Sequence, residues 1–281
     1  MGLRKQLFPG SVLQVLYIYS GFKINCKMVK YCKPCILLFF CCAFSFIAKA
    51  QIVNIERARM QSDTTGWMGN AGASLSLTKN VQQVFTTDLD AHLQYKSKKS
   101  LYLLLGSYGF LKGAGTKLID NTFFHLRYNY KINRTLRWEA FTQLQQNIIT
   151  AIKSRFLIGM GPRFKLLSTK IIKLYAASLL MYEQEKENTA ANIVHNDIRS
   201  SSYVSFTITP NKQLEIISTS FFQPLLNNWN DYRILNQASV RVKAGKKLGI
   251  RINWNYLNDS YPVNGIPSVN YTLSTGIDYD F

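Results

Sequence analysis

From Gly66 to the C-terminus apolar and polar residues alternate one by one, and no stretch holds a helical period for long. Successive side chains of a strand point to opposite faces, so this alternation builds strands with one apolar and one polar face. The last segment is the clearest. Val269, Tyr271, Leu273, Thr275, Ile277, Tyr279 and Phe281 share one face; Ser268, Asn270, Thr272, Ser274, Gly276, Asp278 and Asp280 share the other. Phe124, Leu126, Tyr128 and Tyr130 likewise alternate with His125, Arg127, Asn129 and Lys131. Phe156, Ile158, Met160, Phe164 and Leu166 alternate with Lys153, Arg155, Gly159, Gly161, Arg163 and Lys165. The pattern predicts twelve strands, near 66–78, 83–96, 100–111, 119–131, 135–147, 153–167, 171–185, 196–209, 212–223, 231–243, 246–257 and 268–281.

The connections alternate too. Those after even-numbered strands are short (Ser97-Lys98-Lys99, Asn133-Arg134, Ser168-Thr169-Lys170, Pro210-Asn211, Ala244-Gly245), and most others are longer, as at 186–195, 224–230 and 258–267. An even strand number with tight turns at one end and longer loops at the other is the layout of an outer-membrane barrel with both termini in the periplasm. The link near Asn80 is the short exception.

A soluble barrel would have the same period with its apolar face inside, so energy has to separate the two. Twelve strands with about five lipid-facing positions each offer roughly 60 sites. At 17% charged residues, chance would place about ten charges there, each costing about 2–4 kcal/mol near the midplane. That exceeds a typical total stability of about 5–15 kcal/mol, and the apolar face as assigned carries no charge. Aromatics toward strand ends (Trp67, Tyr95, Trp138, Tyr182, Trp254, Tyr256, Phe281) suit interfacial girdles. Basic short turns (Lys98, Lys99, Arg134, Lys170, Lys246, Lys247) suit anionic headgroups. The other face is rich in Ser, Gly, Asn and Gln, which would suit a wet lumen, and the fold class expected is all-β, an antiparallel transmembrane β-barrel of twelve strands with both termini in the periplasm.

The N-terminus agrees with export. Between Met28 and Ala50 a basic start (Lys30, Lys33) leads into an apolar run from Cys35 to Ile47 and then Ala48-Lys49-Ala50. This is the order of a secretory signal, with cleavage expected after Ala48 and Ala50, before Gln51. The run is too short to span a bilayer as a helix. A lipoprotein signal at Cys41 or Cys42 is the rival, but Phe39 and Phe40 stand where small residues are needed. The expected organisation is 1–50 as an extension plus signal (the signal itself 28–50), 51–65 as a periplasmic lead-in and 66–281 as the barrel, in the outer membrane of a Gram-negative bacterium.

Composition narrows the chemistry. All five cysteines precede residue 51, so the exported part has no disulfide scaffold, no CxxC zinc site and no cysteine nucleophile. Basic residues outnumber acids 34 to 15. Seven of the basic ones (Arg4, Lys5, Lys23, Lys27, Lys30, Lys33, Lys49) precede residue 51, with no acid among them, and the rest of the chain stays basic. Such charge would ordinarily suggest nucleic acid, which an exported chain rarely meets.

The ending Leu273, Thr275, Ile277, Tyr279, Phe281 resembles the C-terminal signal that the barrel-assembly machinery reads on outer-membrane barrels. Asp63-Thr64-Thr65-Gly66-Trp67-Met68-Gly69, Ser74-Leu75-Ser76-Leu77-Thr78 and Lys153-Ser154-Arg155-Phe156-Leu157-Ile158-Gly159-Met160-Gly161 with Arg163-Phe164 resemble the YdiY-like salt-induced outer-membrane protein family over residues 52–281. Thr78-Lys79-Asn80 departs from the Gly-Asn turn often found there. The resemblance implies a barrel of the salt or envelope-stress type and no catalytic residues or cofactor. The partners implied are outer-membrane lipids and the assembly machinery.

Several residues invite chemistry. Asp88, Asp90 and His92 are two apart on one face of strand two and could hold a cation if other strands completed the shell; lumen acids paired with facing Arg or Lys is the plainer reading. His195 with Asp197, beside Glu183, Glu185 and Glu187, reads as a solvated loop before it reads as a metal site. Gly106, Gly109, Gly113 and Gly115 lack the Gly-Lys-Ser/Thr of a phosphate loop. Pro162 after Gly161 predicts a bulge. No His shows the His-x-Ser-Asn-Gly arrangement of outer-membrane phospholipases, so catalysis is not expected. Inward Arg127, Arg155, Arg163, Arg199, Arg241 and Arg251 outnumber inward acids such as Asp88, Asp90 and Glu139, and two readings follow. One is a narrow channel for anions or small acidic solutes; the other is a structural barrel closed by internal salt bridges.

Overall fold

The computed structural model describes residues 65–79, 83–245 and 248–279, with the side chains of 278 and 279 left out. The signal residues Ala48, Ala50 and Gln51, nearly all of the 51–65 segment, the terminal Phe281 and the side chain of Tyr279 lie outside the described residues. Twelve strands follow one another: β1 (Gly66–Lys79), β2 (Gln83–Lys96), β3 (Ser100–Gly113), β4 (Thr116–Lys131), β5 (Leu136–Asn147), β6 (Ile152–Ser168), β7 (Ile172–Glu187), β8 (Val194–Ile208), β9 (Leu214–Leu225), β10 (Asn228–Lys243), β11 (Leu248–Asp259) and β12 (Val269–Tyr279). Each pairs antiparallel with its neighbours in one sheet of order β1 to β12. Among the described residues no ladder returns from β12 to β1, so the sheet is open along one seam where a closed barrel was expected.

Local chemistry makes the turns. At the even-numbered links a side-chain oxygen replaces a backbone acceptor: Asn133 Oδ1 accepts from the Thr135 and Leu136 amides (2.9 and 2.7 Å), and Asn211 Oδ1 from those of Gln213 and Leu214 (2.9 Å each). Thr169 Oγ1 accepts from the Ile172 amide (2.9 Å) and Ser97 Oγ from that of Ser100 (3.0 Å). Lys98, Lys99, Arg134 and Lys170 are exposed on these turns. The opposite links differ from expectation. Strands run further than the alternation implied, so 224–230 shrinks to the link between Leu225 and Asn228, and 186–195 to residues 188–193. Ala114 (φ 53°) and Gly115 (φ 81°) close β3 onto β4 in two residues, both left-handed as the favoured hairpin twist demands. Only the links at 188–193 and 260–268 are clearly longer.

Inside and outside segregate by strand parity, and the inside is not simply polar. Phe141, Leu157, Ala177, Leu179, Met181, Tyr203 and Phe221 form one buried apolar cluster and Leu103, Leu105 and Phe123 another. Beside the expected Ser, Gly, Asn and Gln, the inward face therefore carries packed apolar side chains, in line with the closed rather than the wet of the two readings left open. Those apolar side chains had no part in the face assignment, because a strand walled on both sides by apolar matter no longer alternates cleanly.

The outer face stays exposed and apolar across the sheet: Leu126, Leu144, Ile158, Met160, Leu180, Ile198, Val204, Phe222, Ile250 and Leu273 are each at least 40% exposed. An aromatic row, Trp67–Tyr95–Tyr102–Tyr128, crosses directly paired positions of β1 to β4 at the end carrying the basic turns (centroids 4.8, 6.2 and 4.8 Å apart). Trp254, expected near a strand end, lies at the middle of β11, stacked on Tyr271 at 5.5 Å. One outward stripe is polar. Ser178 and Ser202 share a hydrogen bond (2.9 Å), and Asn236 Nδ2 donates to Ser218 and Ser220 (3.2 and 2.8 Å), so these groups satisfy one another at mid-height.

Pro162 makes no bulge. Its pairing with Trp138 continues the β5 register, and the β6–β7 register is the same before and after it, at Met160↔Leu180 and Arg163↔Ala177. Pairing with β7 lapses at Gly161 and Pro162, where proline has no N–H to donate, without a change of register; the register shifts of this ladder lie elsewhere, between Ile152 and Ser154 and between Lys165 and Leu167. Gly161 permits the fit: a Cβ there would stand 2.3 Å from the Ser178 carbonyl oxygen. Gly161→Ala is expected to lower stability by about 1–3 kcal/mol by pushing β7 away, measurable by urea unfolding of the refolded protein.

Candidate functional site in the sheet interior

Two ion-pair networks cross the inward face. In the half nearer the basic turns, Glu139 of β5 is fully buried. Arg127 of β4 lies 3.1 Å from its carboxylate and Arg163 of β6 3.5 Å, and the Tyr203 hydroxyl of β8 donates to it at 2.5 Å. Arg163 also lies 4.1 Å from the centre of the Tyr175 ring. Tyr203 of β8 reaches Glu139 of β5 past the two strands between them, so the network spans the interior rather than running along the wall.

The second network sits at the other end. Glu183 of β7 is contacted by Arg155 of β6 (2.7 Å), Arg199 of β8 (3.1 Å) and Arg233 of β10. Glu185 contacts Arg155 and Arg233, each at 3.3 Å. Asp259 holds Arg233 (2.7 Å), while Asp231 (2.8 Å) and Asp197 (3.3 Å) hold Arg199. Three guanidiniums thus meet five carboxylates. Strand parity places them there: Ala177, Leu179 and Met181 are buried at alternate positions of β7, and Glu183, Glu185 and Glu187 continue that row.

A cavity of about 110 Å³ on the inward face is bordered by Arg127 of the first network and by Arg155 and Arg233 of the second. It is lined by apolar Phe123, Phe141, Leu157, Met181 and Phe221 and by amide side chains from β5, β9, β10 and β11. His125 is stacked against Phe123 and Phe141, with its Nδ1 3.0 Å from Gln143 Oε1.

The family whose pattern matches residues 69–281 is described as a protein of unknown function, DUF481. The chain belongs to the DUF481 family. These are the YdiY-like proteins its sequence resembles. No curated protein matches the chain in sequence. Similar solved structures include the NanC porin, 11% identical with a TM-score of 0.45, the match covering 76% of this chain and 98% of that one. The translocator domain of the autotransporter NalP from Neisseria meningitidis is 10% identical with a TM-score of 0.45, covering 78% and 90%. The CymD monoaromatic hydrocarbon channel is 13% identical with a TM-score of 0.33, covering 80% and 81%.

For this DUF481 chain, four of the six basic residues assigned to the lumen, Arg127, Arg155, Arg163 and Arg199, lie in the two networks. Arg241 and Arg251 face each other across the β10–β11 ladder, with Glu215 opposite Arg241 on β9. Of the assigned acids only Glu139 enters a network. Asp88 and Asp90 share the inward face of β2 with His92, opposite Ser74, Gly72 and Asn70 of β1. The solvated-loop reading fails for His195 and Glu187, expected in the 186–195 link, while Glu183, Glu185 and Asp197 stand in strands where the alternation put them. All five belong to strands β7 and β8, and the glutamates are buried, because ion pairing across the interior compensates their desolvation. His195 Nε2 lies 2.9 Å from Glu187 Oε1. Among the described residues no group of three or more His, Cys, Asp or Glu is placed to hold a metal ion. Sequence reasoning missed Glu185, Asp231, Asp259 and Tyr203 as network members; the continued β7 parity was the available signal for the first.

Proposed function

We propose that the chain is an integral outer-membrane barrel protein with a structural, envelope-maintaining role of the salt or envelope-stress type, and that it does not conduct ions. The membrane reading rests on the exposed apolar belt: between the rims, outward positions of β5 to β12 carry no charge apart from Lys186 at one end. In hydrocarbon an open sheet edge leaves backbone groups unpaired, so β12 closes on β1 in the bilayer. Export by the N-terminal signal, insertion by the assembly machinery and headgroup contact at the basic turns complete the reading. No catalysis is assigned. His92 and His125 face inward, away from lipid substrates.

The observation that carries the structural role is the crossing of the interior by the Glu139 and Glu183 networks, packed around Phe141, Leu157, Leu179 and Met181. An anion route needs a positive lining. Here the arginines have carboxylate partners, and at one end the carboxylates outnumber them. Planar-bilayer recording of the refolded protein is the test: a silent bilayer is expected, and a steady, anion-preferring conductance would overturn the role.

A further inference from the structure

We propose that the cavity of about 110 Å³ is a binding site for a small neutral polyhydroxylated solute, of the size and class of a monosaccharide. At about 10–15 Å³ for each water, the space admits several waters or one small ring. Asn147 and Thr150, at the β5–β6 link, are among its lining residues. Gln237 of β10, only 3% exposed, lines it, and its Oε1 has no hydrogen-bond partner; Thr150 Oγ1 also lines it with no partner. A buried polar atom of this kind is normally satisfied by something in the space it faces.

The lining selects the chemistry. Gln145, Gln223, Gln237 and Asn255 present amides, which both donate and accept, as hydroxyl groups do. Phe123, Phe141 and Phe221 add apolar aromatic surface to the lining, of the kind that packs against the C–H groups of a sugar ring. The bordering guanidiniums of Arg127, Arg155 and Arg233 each have a carboxylate within 3.1 Å, so an anionic ligand would have to displace an existing ion pair. A purely apolar ligand would leave the Gln237 and Thr150 oxygens buried without partners.

The test is ligand-observed NMR or calorimetry on the detergent-refolded full chain, with glucose, galactose and N-acetylglucosamine as neutral probes. Glucuronate, glucosamine and benzene serve as anionic, cationic and apolar comparisons. At least one neutral sugar is expected to bind in the millimolar range or tighter, with the three comparison probes at least about tenfold weaker. Gln237→Met and Thr150→Val, which keep shape and remove the oxygens, should each weaken binding about tenfold. The proposal is overturned if no neutral sugar binds, if glucuronate or benzene binds as well, or if both variants bind unchanged. A silent bilayer alongside any of these results would leave the structural role standing while removing the site.

Discussion

Leu180→Arg is expected to cost the vesicle-inserted protein about 2–4 kcal/mol, the cost of a guanidinium near the bilayer midplane. Leu180 lies at mid-height on the outward face of β7, 57% exposed, paired with Met160, itself 53% exposed. In water such a substitution at an exposed strand position would change stability by no more than about 0.5 kcal/mol. The two outcomes are far enough apart to decide what surrounds the sheet. Urea unfolding in lipid vesicles, followed by the mobility of unboiled samples on a gel, measures the difference. An unchanged midpoint would mean that water, not acyl chains, meets Leu180.

Glu139→Gln should lower stability by about 3–5 kcal/mol, since removing one partner of a buried ion pair leaves a desolvated charge behind. Its carboxylate serves Arg127, Arg163 and the Tyr203 hydroxyl at once. The same change at Glu183 should cost less, although three arginines meet there. Arg155 and Arg233 keep Glu185, Arg233 also keeps Asp259, and Arg199 keeps Asp231 and Asp197. The same unfolding experiment ranks the two variants. A larger loss at Glu183 than at Glu139 would contradict this account of how the interior charges are held.

Much of the wall was legible because strand geometry is local. The alternation through Phe124 to Lys131 or Val269 to Ile277 reports which side chains face the same way, and the structure keeps those faces. The candidate site was less legible. Arg127, Arg155, Arg163 and Arg199 were placed inward by the same parity, but parity is silent on what a side chain meets across the interior. The surplus of positive charge suggested an anion route. The ladder instead brings Arg233 of β10 to Glu183 of β7 and Tyr203 of β8 to Glu139 of β5. Glu187 was expected in the 186–195 loop, whereas Glu183 and Glu185 stood in the expected seventh strand; parity did not show that guanidiniums from three strands would offset the desolvation of those two.

Period and turn chemistry therefore determined by themselves the strand number, their antiparallel succession and the side of the sheet on which each residue stands, since all three depend on neighbours within a few positions along the chain. Only the tertiary structure decided that the interior is packed and ion-paired and that a small amide-lined cavity remains within it. Those outcomes depend on how side chains from strands far apart in sequence fill a shared volume, and no local pattern encodes that.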